Sequence, residues 1–160
     1  MAQEWEMETA SAEQTQRVGR LLGELCAGGE LLLLTGGLGS GKTCFVQGLA
    51  AGLGVGEYVH SPTFVMVNEY RGRLTLYHMD LYRVTSVAEA VDLGVEDYLR
   101  SNAVCAIEWA DQALAAFPAD HLLLRFTDLG DDRRRLRLSS AGARHDALLL
   151  RVSQAAVQAI

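Results

Sequence analysis

Four leucines in a row, Leu31 to Leu34, followed by Thr35, form an apolar run with no alternation, the pattern of a short strand buried on both faces. Ala103 to Ile107 repeats that pattern and ends on Glu108-Trp109. Elsewhere the periodicity is helical. Ser11 with Gln14 makes a capping box that opens a helix carrying Val18, Leu21, Leu22 and Leu25 on one face, with Gly28-Gly29 as its stop. A second helix is predicted from about Lys42 to Leu53, directly after a glycine-rich loop. Ser86 with Glu89 opens a third helical stretch, which breaks at Gly94 and resumes to about Arg100, and Ala143 to Ile160 closes the chain as a helix. Two hairpins complete the pattern. Thr63 to Tyr70 and Leu74 to Leu81 flank Arg71-Gly72-Arg73, while His121 to Thr127 and Arg133 to Ser140 flank a Gly-Asp-Asp turn. Glu4 to Glu8 reads as a short edge strand.

Apolar strands interspersed with helices predict an α/β domain in three layers, with a mixed, mostly buried β-sheet flanked by helices. The hairpins make the sheet mixed. At 160 residues the chain has room for one well-buried core, so residues 1–160 are read as a single domain.

The loop between the first buried strand and its helix carries the strongest chemical signal. Gly36 to Thr43 reads Gly-Gly-Leu-Gly-Ser-Gly-Lys-Thr, the phosphate-binding pattern of P-loop ATPases. Glycines let the backbone wrap phosphates with its N–H groups turned inward, and the helix N-terminus adds partial positive charge. Lys42 is expected to reach the β- and γ-phosphates, and the Thr43 hydroxyl to bind Mg²⁺. Of 14 basic side chains Lys42 is the only lysine, placed where a slim ammonium fits against phosphate and a planar guanidinium would not.

Glu108, at the end of an apolar strand, occupies the place of a Walker-B acid, where it would face the same crevice as the loop and hold the metal or orient the attacking water. A solvated strand end is the alternative. In Leu74 to Leu81 the two-residue period puts His78 and Asp80 on the side of Leu74 and Leu76. Asp80 is expected to position water or support the metal, with His78 holding it; a structural His-Asp pair is the other reading. Ser61-Pro62-Thr63 joins a loop to a strand and offers two hydroxyls that could sense a γ-phosphate. Arg133, Arg135 and Arg137 share one face of their strand, opposite Leu136 and Leu138, as a solvated face or as a contact for RNA or an acidic partner.

Net charge changes the picture of partners. A formal charge of -6 argues against tight independent binding to DNA or RNA, which depends on neutralising phosphates. No apolar run approaches the ~20 residues that cross a bilayer, and Met1 to Met7 lacks the basic start and apolar stretch of a signal peptide, so no membrane association and a cytoplasmic location are expected. Cys26, Cys44 and Cys105 match no metal spacing and are expected to be reduced and mostly buried.

In combination, Gly36-to-Thr43, Ser61-Pro62-Thr63-Phe64 with Asn68-Glu69-Tyr70, His78-Met79-Asp80-Leu81-Tyr82-Arg83 and Glu108-Trp109 resemble the TsaE family, formerly YjeE, the bacterial ATPases of tRNA threonylcarbamoyladenosine biosynthesis. The resemblance spans nearly the whole chain and includes Thr15 and Gly19 of the first helix. It implies an ATPase that works with TsaD and TsaB, which transfer a threonylcarbamoyl group from its adenylate to the adenosine beside the tRNA anticodon. The family member does not perform the transfer and meets tRNA only through the complex. By the same resemblance the cofactors are ATP and Mg²⁺, Thr43 and Glu108 belong to the metal site, and Asp80 and Glu108 are needed for activity. Trp109 would lie beside the nucleotide, Ser11 to Thr15 would approach the adenine, and Ser61 and Thr63 would complete the nucleotide contacts made by Leu38, Gly39, Ser40, Gly41, Lys42, Thr43 and Cys44. One departure is Gly37, where the family usually carries an acid.

Two other classes share the loop. A small-molecule kinase would need an arginine-bearing lid and an acceptor pocket, and a binding module would use ATP as an assembly switch without turnover. A GTPase fits less well, because no Asn-Lys-x-Asp motif reads guanine and the only lysine sits in the loop.

Overall fold

The computed structural model describes residues 3–37, 39–60, 67–84 and 86–159. Within these residues seven strands form one mixed sheet: β1 (Gln3–Thr9), β2 (Leu31–Thr35), β3 (Val67–Tyr70), β4 (Leu76–Asp80), β5 (Val104–Glu108), β6 (His121–Gly130) and β7 (Arg133–Ala141). Their order is β1-β7-β6-β2-β5-β4-β3. The centre is parallel, with β2 between β5 and β6 and β4 beside β5, whereas β1, β7 and β3 pair antiparallel at the flanks. Among the described residues five helices accompany it: α1 (Ala12–Leu25), α2 (Lys42–Gly52), α3 (Val87–Val91), α4 (Val95–Arg100) and α5 (Ala143–Ala159).

The unbroken leucine run of β2 has a direct structural cause. Leu32 and Leu34 pack into a core shared with α1, α2 and α5, while Leu31 and Leu33 pack on the opposite face against α3, α4 and the 3-10 turns that follow β5. With both faces covered, every position of β2 must be apolar or bonded, and all five are buried. The expected α/β architecture with a covered mixed sheet is what the chain adopts.

Several boundaries differ from those read in the sequence. α1 ends at Leu25, where Cys26 turns extended and its N–H closes on Leu22 and Gly23, before the two glycines are reached. Its Leu21 and Leu25 are only half-buried, because the tightest contact of α1 runs along Gly19 and Gly23. A Cβ on Gly23 would strike the Leu49 carbonyl, and one on Gly48 or Gly52 of α2 would strike the Gln16 or Arg20 carbonyl, so the two backbones lie in direct contact. β6 and β7 run on to Gly130 and Ala141 through a bulge between Asp128 and Gly130. The segment Ser61 to Met66, including the first part of the first predicted hairpin, lies outside the described residues.

At the flank, Glu4, Glu6 and Glu8 alternate outward from β1 while Trp5 and Met7 turn toward the core. Arg135 meets Glu6 and Glu8 at 3.3 and 3.1 Å, and Arg137 meets Glu4 at 3.1 Å. Arg135 and Arg137 therefore belong to an exposed ion-pair ladder within the sheet.

Candidate functional site

The parallel strands β2, β4 and β5 end side by side, and their carboxyl ends supply the chemistry. Asp80 and Glu108 are register partners at the ends of β4 and β5, and β2 runs directly into the glycine loop. Gly36 leaves β2 at φ 140, and a Cβ there would meet Ser40 Oγ at 2.8 Å and Phe126 O at 2.6 Å, so only glycine lets the loop turn back this tightly. The loop then enters α2 at Lys42, with Gly41 as the N-cap in a left-handed conformation.

A cavity of about 580 Å³ opens above this junction, lined by Gly37, Gly39, Ser40, Gly41, Lys42, Thr43, Cys44, Asp80, Tyr82, Glu108 and Trp109. That volume is in the range of small-molecule and cofactor sites. The Thr43 hydroxyl donates to both Glu108 oxygens, at 3.1 and 3.2 Å. Behind Glu108, the wholly buried His78 donates from Nε2 to Glu108 Oε2. His78 is thus turned to Glu108, and not to Asp80 as the strand period suggests: the two share a face, but β5 brings the acid closer. Asp80 instead accepts the Tyr82 N–H at 2.8 Å, which shapes the turn leaving β4.

Lys42 donates from Nζ to the Gly36 carbonyl, and its ammonium lies 3.5 Å from the centroid of the Trp109 ring. Burial pushes the Lys42 amine below its ordinary value, against the opposing pull of Glu108, Asp111 and Asp80. Trp109 adopts a left-handed backbone at φ 60, which swings its ring over the loop, and Tyr82 packs on it with ring centroids 4.9 Å apart.

The residues present fit Mg-ATP on two observations. Ser40 Oγ is buried with no partner among the described protein groups, inside a loop shaped to present donors to phosphate. The Thr43 hydroxyl and the Glu108 carboxylate lie in direct contact beside the loop, an oxygen pair of the kind that could hold Mg²⁺. Among the described residues no three of His, Cys, Asp and Glu gather into a cluster that could hold a metal ion.

Of the residues singled out in the sequence, Gly39, Ser40, Gly41, Lys42, Thr43, Cys44, Asp80, Glu108 and Trp109 converge on this cavity. Leu38, Ser61 and Thr63 lie outside the described residues. Ser11 and Thr15 do not line the cavity. Ser11 caps α1 by accepting the Gln14 N–H at 3.2 Å, and Thr15 is buried with its hydroxyl 2.7 Å from that of Thr9. The start of α1 still borders the site, since Cys44 donates from Sγ to the Ala12 carbonyl at 3.2 Å. Cys26 and Cys105 are buried free thiols, as expected, and burial pushes Cys105 up to about 12; Cys44 is only half-buried.

Two residues escaped the sequence reading. Tyr82 follows Asp80 by two positions, and that offset alone points it to the same side. Arg134 shares strand parity with Leu136 and Leu138, so an arginine on the apolar side of a hairpin was the available signal. Its Nη2 donates to the Gly39 carbonyl at 2.9 Å.

The sequence profile of a family described as "Threonylcarbamoyl adenosine biosynthesis protein TsaE" matches residues 9–136. The tRNA threonylcarbamoyladenosine biosynthesis protein TsaE of Treponema pallidum is 40% identical over 129 residues, covering 81% of this chain and 96% of that protein. The protein of the same name from Bacillus subtilis is 37% identical over 147 residues, covering 91% of this chain and 92% of its own length. A crystal structure of Bacillus subtilis YdiB superposes with a TM-score of 0.84 at 33% identity, covering 97% of each chain.

Proposed function

This chain belongs to the TsaE family, and from that premise we propose that it is a Mg-dependent, slow ATPase that serves tRNA threonylcarbamoyladenosine biosynthesis by assisting or resetting the TsaD-TsaB transferase. One observation carries the ATPase reading: the Thr43 hydroxyl lies 3.1 and 3.2 Å from the two oxygens of Glu108, directly after a glycine loop and Lys42.

Bound Mg-ATP would supply a reactive phosphoanhydride and a metal that spreads charge over its oxygens. The chain's own groups then have distinct tasks. Gly39, Ser40 and Gly41 cradle phosphate, Lys42 gives a mobile point charge, and Thr43 with Glu108 holds the metal. Asp80, the register partner of Glu108, would orient water. Trp109 and Tyr82 wall the site and limit solvent. Ser61 and Thr63 are proposed to sense the γ-phosphate, and Ser11 and Thr15 to border the adenine through the start of α1.

Slow turnover in isolation follows from the charges available. None of the arginines lines the cavity among the described residues. Arginine fingers contribute ~10³ to 10⁵ in rate in P-loop enzymes, so a partner that completes the site would accelerate it. Calorimetric titration and steady-state phosphate release test the reading together. Lys42→Ala should lose measurable Mg-ATP binding while keeping its circular dichroism, and wild-type release should rise when TsaD and TsaB are added. Unchanged affinity in a folded Lys42→Ala variant removes the phosphate-loop assignment, equal rates with and without the partners remove the completed-site reading, and a phosphorylated metabolite in place of free phosphate would indicate a kinase.

A further inference from the structure

We infer that Arg134 is a positioning residue for the phosphate loop, acting from the far side of the loop and not from inside the nucleotide cavity. The inference rests on the ATP-binding reading above. Arg134 is the second residue of β7 and lies on its core side, and its side chain is only 15% exposed, whereas Arg135 and Arg137 are 43% and 47% exposed. Its guanidinium joins acids to backbone carbonyls, with Asp132 Oδ1 4.0 Å from Nη2. Nη1 donates to Asp128 Oδ1 and to the Arg133 carbonyl, both at 2.9 Å, and Nη2 donates to Gly39 O at 2.9 Å. Its stem runs under the next glycine of the loop: a Cβ on Gly41 would lie 3.4 Å from Arg134 Nε and 3.5 Å from Cγ.

Each contact has a mechanical meaning. A loop that turns its N–H groups toward phosphate must turn some carbonyls outward, and an outward carbonyl held by a fixed cation keeps that peptide from flipping. Asp128 fixes the guanidinium from the other side and is itself set by the bulge, where it also accepts the Gly130 N–H at 2.9 Å. The planar fork of arginine spans both partners at once, which one ammonium cannot do.

A device that shapes the loop before binding, without touching the reacting atoms, supports ground state and transition state alike. Its loss should therefore raise Kd and KM and spare kcat. Arg134→Ala is expected to weaken Mg-ATP binding about tenfold, on the order of 1.4 kcal/mol, with kcat within about twofold of wild type at saturating ATP. Arg134→Lys should recover part of that loss. Arg135→Ala, on the same strand but facing Glu6 and Glu8, should bind as wild type does.

The measurements are calorimetric Mg-ATP titration, KM and kcat from phosphate release, and the thermal midpoint of each variant. A wild-type chain that does not bind Mg-ATP overturns both the ATPase reading and this one. Wild-type binding with an equal affinity in Arg134→Ala overturns the Arg134 inference alone, as does a loss confined to kcat. Should Arg134→Ala fail to fold, Arg134→Lys decides: a raised KM with unchanged kcat supports the inference, and wild-type kinetics overturn it.

Discussion

At the scale of single residues, Glu108 carries three burdens at one strand end: it accepts from Thr43, it accepts from His78, and it is 3% exposed. Glutamine keeps the shape and the capacity to accept the Thr43 hydroxyl, but removes the charge that would organise metal or water. Glu108→Gln should therefore retain Mg-ATP affinity within a few-fold while phosphate release falls about 100-fold or more, the range of a lost acid-base or metal-organising group. Near-normal release in that variant would reassign Glu108 to structure. Removing the loop charge with Lys42→Ala has the opposite signature, since it acts on binding first.

At the scale of elements, α1 and α2 behave as one block because their backbones touch through Gly19, Gly23, Gly48 and Gly52. Gly48→Ala pushes a methyl group into the Gln16 carbonyl, and neither helix can move away without lifting Val18, Leu22, Phe45 and Leu49 out of the shared core. A loss of about 1–3 kcal/mol in urea denaturation is expected, from overpacking that outweighs the better helix propensity of alanine. An unchanged unfolding midpoint would show that the seam yields. This seam was not legible in the sequence, where the leucine period of α1 marks a core face but cannot say that the closest neighbour meets the glycines. β2 and β5 were legible, because a strand covered on both sides leaves no polar position to confuse the pattern. So were the loop and Glu108, whose chemistry depends on residues close in sequence or at a strand end. Arg134 was legible only as an arginine on the apolar side of its hairpin, since its partner Gly39 lies in the loop after β2 and nothing local encodes the reach of a long side chain. The His78 pairing failed for a related reason: strand parity gives a face, not a neighbour on the next strand.

At the scale of the whole molecule, the C-terminal helix is tied to the central strand by one imidazole. Leu31 N donates to His145 Nε2 at 3.0 Å, and His145 Nδ1 donates to Asp120 Oδ1 at 2.5 Å, which requires the neutral Nδ1–H form. Burial pushes His145 below the ordinary histidine value, outweighing the upward pull of Asp120 and Glu30, while Arg144 also lowers it. The unfolded chain therefore takes up a proton near pH 6.5 that the folded chain resists. This contribution to stability is complete above about pH 6.5 and declines as the pH falls through that value toward the lower folded one. Urea midpoints between pH 8 and 5 should fall less steeply in His145→Ala than in wild type. The variant should also lose about 1–3 kcal/mol at pH 8, because the buried Leu31 N–H is left unpaired. Parallel pH profiles would discard the role assigned to His145.

The alternating acids of β1 bear on how molecules of this protein meet one another. β1 ends the sheet, so its outer side offers backbone groups to which a further strand could add. A second copy aligning there antiparallel would bring one row of glutamates, Glu4, Glu6 and Glu8, alongside its own duplicate. The basic residues that neutralise the row, Arg135 and Arg137, sit inward on β7 and leave the outer flank acidic. Repulsion between like charges thus works against two copies joining their sheets along that edge.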